Sequence, residues 1–140
     1  LTGKSLTAHF AETRSPLSDF IVTGIGLRQS REQTSAKVAQ RVDEQFAAGL
    51  LDEIRLLRAR GVPDTAPPFG GMVYRQALAF LNGFGDLAST RELIVRENQR
   101  YARRQLIWFR KEPNLQWIQV DNDPTRTFIQ SKQIIHALEN

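Results

Sequence analysis

Apolar and polar positions change period several times along the chain, and each change marks an element. From Arg31 to Ala48 apolar residues recur at helical spacing, with Ala39, Val42 and Phe46 on one face, which predicts a helix. Gly49 breaks or bends it. Leu50, Ile54 and Leu57 then share a face on a helix from Leu50 to Arg60, which Gly61-Val62-Pro63 stops. Met72 to Leu81 reads as the next helix, ended by Asn82-Gly83. A long helix runs from about Asp86 to Lys111, with Leu87, Ile94, Tyr101, Gln105 and Trp108 along one stripe. Arg96, Arg100, Arg103 and Arg110 recur on another face. Pro113 closes this helix, and Asp123-Pro124 opens a last one that ends near Glu139.

Two stretches break from this period. Asp19 to Leu27 is β-branched and apolar between polar neighbours, which predicts a buried strand. Leu115 to Val120 alternates like a strand. Leu1 to Arg14 reads as a short helical piece capped by Ser5 and interrupted at Pro16. Asp64 to Gly71 is a Pro/Gly-rich loop, expected to be exposed and open to function. The class expected is α/β, mostly helical, with two strands and about five or six helices. With few strands to pair, those two present edges prone to self-association.

Composition narrows the chemistry. The chain has 140 residues, of which 41% are hydrophobic and 24% charged, enough for one domain with a moderate core. Net charge is +4 and the sequence pI is near 10.0, a balance that favours polyanionic partners. The absence of cysteine excludes disulfides, thiolate zinc sites and a cysteine nucleophile. No apolar run approaches the roughly 20 residues that span a bilayer, and no signal peptide is evident, so a cytoplasmic protein without a membrane partner is expected. The chain opens at Leu1 without a methionine, as part of something longer would.

Catalytic signals are weak. Gly3-Lys4-Ser5 copies the tail of a phosphate-binding P-loop, but its leading glycine and strand would lie before Leu1, and a helix start accounts for it more simply. Gly24-Ile25-Gly26 lacks the third glycine of a dinucleotide fingerprint, and a strand end beside a turn suffices. His9 and His136 are far apart, without metal-ligand spacing, and read as surface residues. Asp43, Glu44, Asp52 and Glu53 read as helical i, i+4 partners of basic residues. No nucleophile–base constellation emerges, so no catalytic residue and no metal ligand is expected in this chain.

Basic, aromatic-containing stretches are the stronger signal. Arg103-Arg104-Gln105-Leu106-Ile107-Trp108-Phe109-Arg110 offers guanidinium groups for phosphates and aromatic surfaces for bases. A solvated arginine face is the rival reading, and the stripe that Trp108 shares with Tyr101 and Leu87 favours the core for that ring. Tyr74-Arg75-Gln76 follows the Pro/Gly loop at a helix start, where backbone N–H groups can meet an anion. Arg41, beside Val42, reads either as an amphipathic arginine covering the core edge or as an anion ligand pointed inward.

Together these stretches resemble the C-terminal part of bacterial tRNA dimethylallyltransferases. That family carries a glycine-tyrosine-arginine-glutamine motif, here Val73-Tyr74-Arg75-Gln76, and a later helix ending in lysine-arginine-glutamine, two residues, tryptophan, one residue and arginine. The second motif appears as Arg103-Arg104-Gln105 followed by Trp108 and Arg110. Leu1-Thr2-Gly3-Lys4-Ser5-Leu6, Arg41-Val42, Gly49-Leu50-Leu51-Asp52-Glu53-Ile54 and Leu115-Gln116-Trp117-Ile118 match in the same order. Departures are Val73 for glycine, Asn98-Gln99 for threonine-arginine, Ile107 for threonine, and Gly70-Gly71 before the first motif.

The resemblance implies transfer of a dimethylallyl group from dimethylallyl diphosphate to N6 of the adenosine at position 37, beside the tRNA anticodon. It implies the C-terminal part of a P-loop-type transferase core, whose P-loop, general-base aspartate and threonine lie outside this chain, so that the chain alone is inactive. Residues 1–18 would end a tRNA-binding insertion, 19–122 belong to the catalytic core, and 123–140 form a C-terminal helix. Contacts with the tRNA anticodon stem-loop are implied for Met72, Tyr74, Arg75, Gln76, Arg103, Arg104, Gln105, Trp108 and Arg110, and contact with the diphosphate for Arg41. Mg2+ is implied for the intact enzyme, which would act as a monomer. A stand-alone basic helical RNA-binding module is the alternative, and a basic structural domain without nucleic acid a third.

Overall fold

A computed structural model describes residues 3–13, 17–121 and 123–138. The helices are α1 (Leu6–Glu12), α2 (Arg31–Ala47), α3 (Leu50–Ala59), α4 (Met72–Leu81), α5 (Leu87–Phe109) and α6 (Pro124–Leu138). Strands β1 (Gly24–Arg28) and β2 (Leu115–Gln119) stand at either end of the helical run from α2 to α5. A 3-10 turn, Pro67–Gly70, precedes α4. The α/β, mostly helical expectation therefore holds.

Local chemistry sets the boundaries. Ser30 and Gln33 form a reciprocal capping box at the start of α2, each hydrogen bond 3.1 Å long. Gly49 separates α2 from α3 at φ 94°, a left-handed conformation that a residue with a Cβ rarely adopts. Asp86 accepts from the Ser89 N–H at 2.9 Å and caps α5. Ser5 accepts from the Ala8 N–H at 3.2 Å, as expected of the α1 cap. The predicted ends of that helix, Leu1, Thr2 and Arg14, lie outside the described residues, as do Pro16 and Glu139.

The core gathers where α3 and α4 meet. Leu50, Ile54, Phe69, Ala77 and Leu78 form one buried cluster. Ile54 and Ile94 are wholly buried, and Val42 and Thr90 are nearly so. α5 packs on both α2 and α4. Between α2 and α5, Arg91 lies 4.7 Å over the Phe46 ring and 3.6 Å from Asp43.

β1 and β2 pair in parallel, with Gly24 opposite Leu115 and Gly26 opposite Trp117. A Cβ on Gly26 would sit 2.8 Å from the Trp117 ring, so the Gly-Ile-Gly run admits a tryptophan laid across the strand. That is its structural role.

Three expectations fail. The stretch from Asp19 to Leu27 is not one buried strand: pairing begins only at Gly24, and Phe20, Ile21 and Val22 are exposed. The partner strand spans five residues, so nothing upstream has a ladder to join. The loop from Asp64 to Gly71 is not wholly exposed either. Its prolines open the 3-10 turn that drives Phe69 into the core against Tyr74. Finally, Tyr101 and Trp108 are not core residues, being 47% and 61% exposed. α5 has 23 residues, far more than the 10 of α4, and its distal turns extend past their cover.

Candidate nucleic-acid interface

The distal part of α5 concentrates cations. Arg96, Arg100 and Arg104 follow at i, i+4 spacing, with Arg103, Arg110 and Lys111 beside them, and all six are exposed. Like charges at this spacing cost a helix roughly 0.2–0.5 kcal/mol per pair. Elsewhere acids relieve such costs: Arg55 pairs with Asp52 at 2.7 Å, Arg126 with Asp121 at 3.2 Å, and Lys4 with Glu12 at 2.6 Å. Among the described residues, none of these six cations forms an ion pair. They are available to an external anion.

Apolar and aromatic groups accompany them. Ile107, Trp108 and Phe109 are 48%, 61% and 42% exposed. The Trp108 and Phe109 rings meet edge to face at 5.1 Å, which holds two π-surfaces at the helix end. The sequence had favoured the core for Trp108; the ring is instead 61% exposed. Gln105 is exposed on the same segment.

The start of α4 forms a second group. Gly71 supplies no side-chain cap, which leaves the first N–H groups of α4 without one. Met72 and Tyr74 line an open cavity of about 380 Å³ with Gln45, Leu50, Glu53 and Gly71. The Tyr74 hydroxyl donates to Glu53 Oε1 at 2.9 Å. That bond and partial burial both raise the phenol above its ordinary pKa, so Tyr74 stays protonated.

Glu97 of α5 joins the two groups. Its Oε2 accepts from Arg75 Nη2 at 3.2 Å and from Gln76 Nε2 at 3.1 Å. Arg103 follows Glu97 by six residues, or about 9 Å along the helix axis. The structure thus brings Met72, Tyr74, Arg75 and Gln76 together and ties them to the helix that carries Arg103, Arg104, Gln105, Trp108 and Arg110. Arg41 stands apart. It is exposed on α2 rather than pointed inward, and among the described residues no hydrogen bond or ion pair joins it to either group.

Sequence reasoning missed Glu97 and the part played by Glu53. The available signal was that Glu97 is the sole acid between Glu92 and Glu112, in a stretch crowded with arginine. Helical pairing does explain Asp52, and Gln40 donates to Glu44 at 2.7 Å. Glu53 and Asp43 instead reach across to other helices. Lys4 pairs with Glu12 and Ser5 caps α1, so Gly3-Lys4-Ser5 acts as a helix start.

A further clamp fixes the loop that feeds α4. Arg58 donates twice to Asp64, at 2.8 and 2.5 Å, and once to Asn82. The bond from Arg58 lowers the Asp64 pKa, and Asn82 adds to the effect. Among the described residues no group of three or more His, Asp or Glu is placed to hold a metal ion. These residues therefore do not fit a Mg2+ site of their own. No helix among them is long and apolar enough to cross a membrane.

A mostly helical α/β fold with a basic, aromatic helix end defines the class. A model of the IPP transferase family matches residues 1–112, and the chain belongs to that family. It is 37% identical over 123 residues to tRNA dimethylallyltransferase 2 of Syntrophus aciditrophicus, covering 88% of this chain and 40% of that protein. To the tRNA dimethylallyltransferase of Geobacter sulfurreducens it is 32% identical, covering 85% of this chain and 38% of that protein. The full-length tRNA isopentenylpyrophosphate transferase of Bacillus halodurans superposes with a TM-score of 0.74 at 29% identity, over 82% of this chain and 38% of that chain. The chain spans about two fifths of the length of these relatives. Its fold matches the C-terminal part of a tRNA isopentenyltransferase, as the resemblance implied.

Proposed function

We propose that this chain is the tRNA-holding part of a tRNA dimethylallyltransferase. The intact enzyme transfers a dimethylallyl group from dimethylallyl diphosphate to N6 of adenosine 37, beside the anticodon, acting in the cytoplasm as a monomer. One observation carries the reading: the distal half of α5 sets out arginines without acidic partners among the described residues, beside an exposed tryptophan and linked through Glu97 to the start of α4. Arg103, Arg104 and Arg110 hold backbone phosphates, which positions the RNA without reading its sequence. Trp108 offers a face to an unstacked base, and Gln105 a hydrogen-bonding edge.

Residues 19–122 belong to the transferase core in this reading, 1–18 end a tRNA-binding insertion, and 123–140 close the chain as a helix. Arg41 meets the diphosphate, whose negative charge grows as the prenyl carbon–oxygen bond breaks. In the intact enzyme a Mg2+ ion would be held by groups outside these residues and would offset part of that charge. The groups that activate N6 lie outside these 140 residues, so the chain alone transfers no prenyl group.

Binding of a fluorescent anticodon stem-loop, followed by anisotropy across a salt series, tests the reading. The log–log salt slope is expected to fall by roughly 0.7–0.9 for each of Arg103→Ala and Arg104→Ala. Binding that ignores salt and survives both substitutions defeats it. Prenyl transfer by the chain alone defeats the assignment of catalysis elsewhere.

A further inference from the structure

A carboxylate in a face built for phosphates works against binding, because it repels the ligand that the arginines attract. Glu97 is such a group. It lies on α5 between Arg96 and Arg100, and its side chain is 24% exposed. Unlike the acids that neutralise neighbours on their own helix, it reaches to α4. One oxygen, Oε2, accepts from both Arg75 and Gln76. Arg75 is left 58% exposed, with one of its five N–H donors engaged by Glu97. Tyr74, one residue earlier, is held from the opposite neighbour by Glu53 of α3. Carboxylates on the two helices that flank α4 therefore fix three consecutive side chains in its first two turns.

We propose that Glu97 is a positioning residue for RNA selectivity: it sets the orientation in which Arg75 and Gln76 present their remaining donors, at a cost in raw electrostatic attraction. The inference rests on the tRNA-holding reading and adds to it a division of labour. The arginines of distal α5 supply attraction that any RNA strand satisfies, and the Glu97-held pair supplies discrimination. A flexible arginine at position 75 would contact phosphates in many geometries and select none. An arginine oriented by a fixed carboxylate favours one.

The two effects have opposite signs, which makes the proposal testable. The measurement is affinity of the full 140-residue chain for an anticodon stem-loop and for a stem-loop of the same length with a scrambled loop, in parallel salt series. Glu97→Ala removes a negative charge, so affinity for the scrambled RNA should rise about twofold and its salt slope should steepen. Affinity for the anticodon stem-loop should fall about fivefold, so the ratio between the two RNAs drops about tenfold. Glu97→Gln removes the same charge but keeps a carbonyl oxygen that can still accept from Arg75 and Gln76, more weakly than a carboxylate, and should recover part of the ratio. A purely structural role would lower both affinities together and leave the ratio in place. An unchanged ratio in Glu97→Ala, with a selective unsubstituted chain, overturns the proposal alone. Equal binding of both RNAs by the unsubstituted chain overturns the tRNA-holding reading and this inference with it.

Discussion

The two halves of α5 are one continuous helix put to opposite uses. Residues 87–98 carry the helix's buried positions: Ile94 is wholly buried and Thr90 nearly so, although Leu87 at the very start is 40% exposed. Two of the charges there are matched, with Arg91 set against Asp43 and Phe46, and Glu97 against Arg75 and Gln76, while Arg96 is exposed. In residues 99–109 the pattern inverts. Tyr101, Ile107, Trp108 and Phe109 face solvent, and Arg100, Arg103 and Arg104 have no acidic partner among the described residues. Packing against α2 and α4 holds the helix through its first half, and the second half projects on that support. A rigid element anchored at one end can carry unfavourable charges and exposed rings at the other, because the anchor supplies the stability that the projection lacks.

Stability should therefore respond very differently to truncation in the two halves. Ile94→Ala removes wholly buried methyl groups and should cost about 2–5 kcal/mol, measured by denaturant unfolding. Trp108→Ala deletes a far larger side chain, yet should cost less than about 1 kcal/mol, since most of that side chain is already in water. Comparable losses at the two positions would mean that the distal half is packed after all.

Charge deletions sharpen the contrast at a smaller scale. Arg91→Ala loses the cation–π contact with Phe46 and the Asp43 pair, together about 1 kcal/mol of stability. Arg104→Ala should leave stability unchanged or raise it by roughly 0.2–0.5 kcal/mol, by relieving repulsion from Arg100 one turn away. Its stem-loop affinity should fall while that of Arg91→Ala holds. An Arg104→Ala chain that unfolds more easily would place Arg104 in the packed half.

The same contrast explains what could be read from the residues. The α3 and α4 boundaries followed from local signals such as Gly49, Gly61 and Asn82-Gly83, because capping chemistry is set by neighbours in sequence. The arginine stripe was legible for the same reason. Burial was not, since it depends on how far partner helices reach. Leu87, Ile94, Tyr101 and Trp108 share one periodic stripe, yet only Ile94 is wholly covered. Phe69 was misjudged because a Pro/Gly-rich loop normally signals exposure, and only the fold brings it over α3 and α4. Glu97 was missed because its partners lie 21 and 22 residues away. Pairings across helices are set by tertiary packing, and periodicity carries no trace of them.

The smallest effect concerns pH, and it separates the regions by the kind of charge each uses. Asp64 titrates with its pKa lowered by the Arg58 hydrogen bond, with Asn82 assisting. A folded pKa below the unfolded value, near 3.9, means that the clamp's contribution is fully present above about pH 4 and is lost as pH falls through the folded value. Acid unfolding of the unsubstituted chain should therefore be steeper below about pH 4 than that of Asp64→Asn. The grip proposed for distal α5, by contrast, uses no carboxylate. Stem-loop affinity should stay level from about pH 5 to 8, where neither arginine nor the Asp64 carboxyl changes state. A titration of affinity within that window would point to a group outside the arginine stripe as part of the grip, and would break the division between a half that packs and a half that binds.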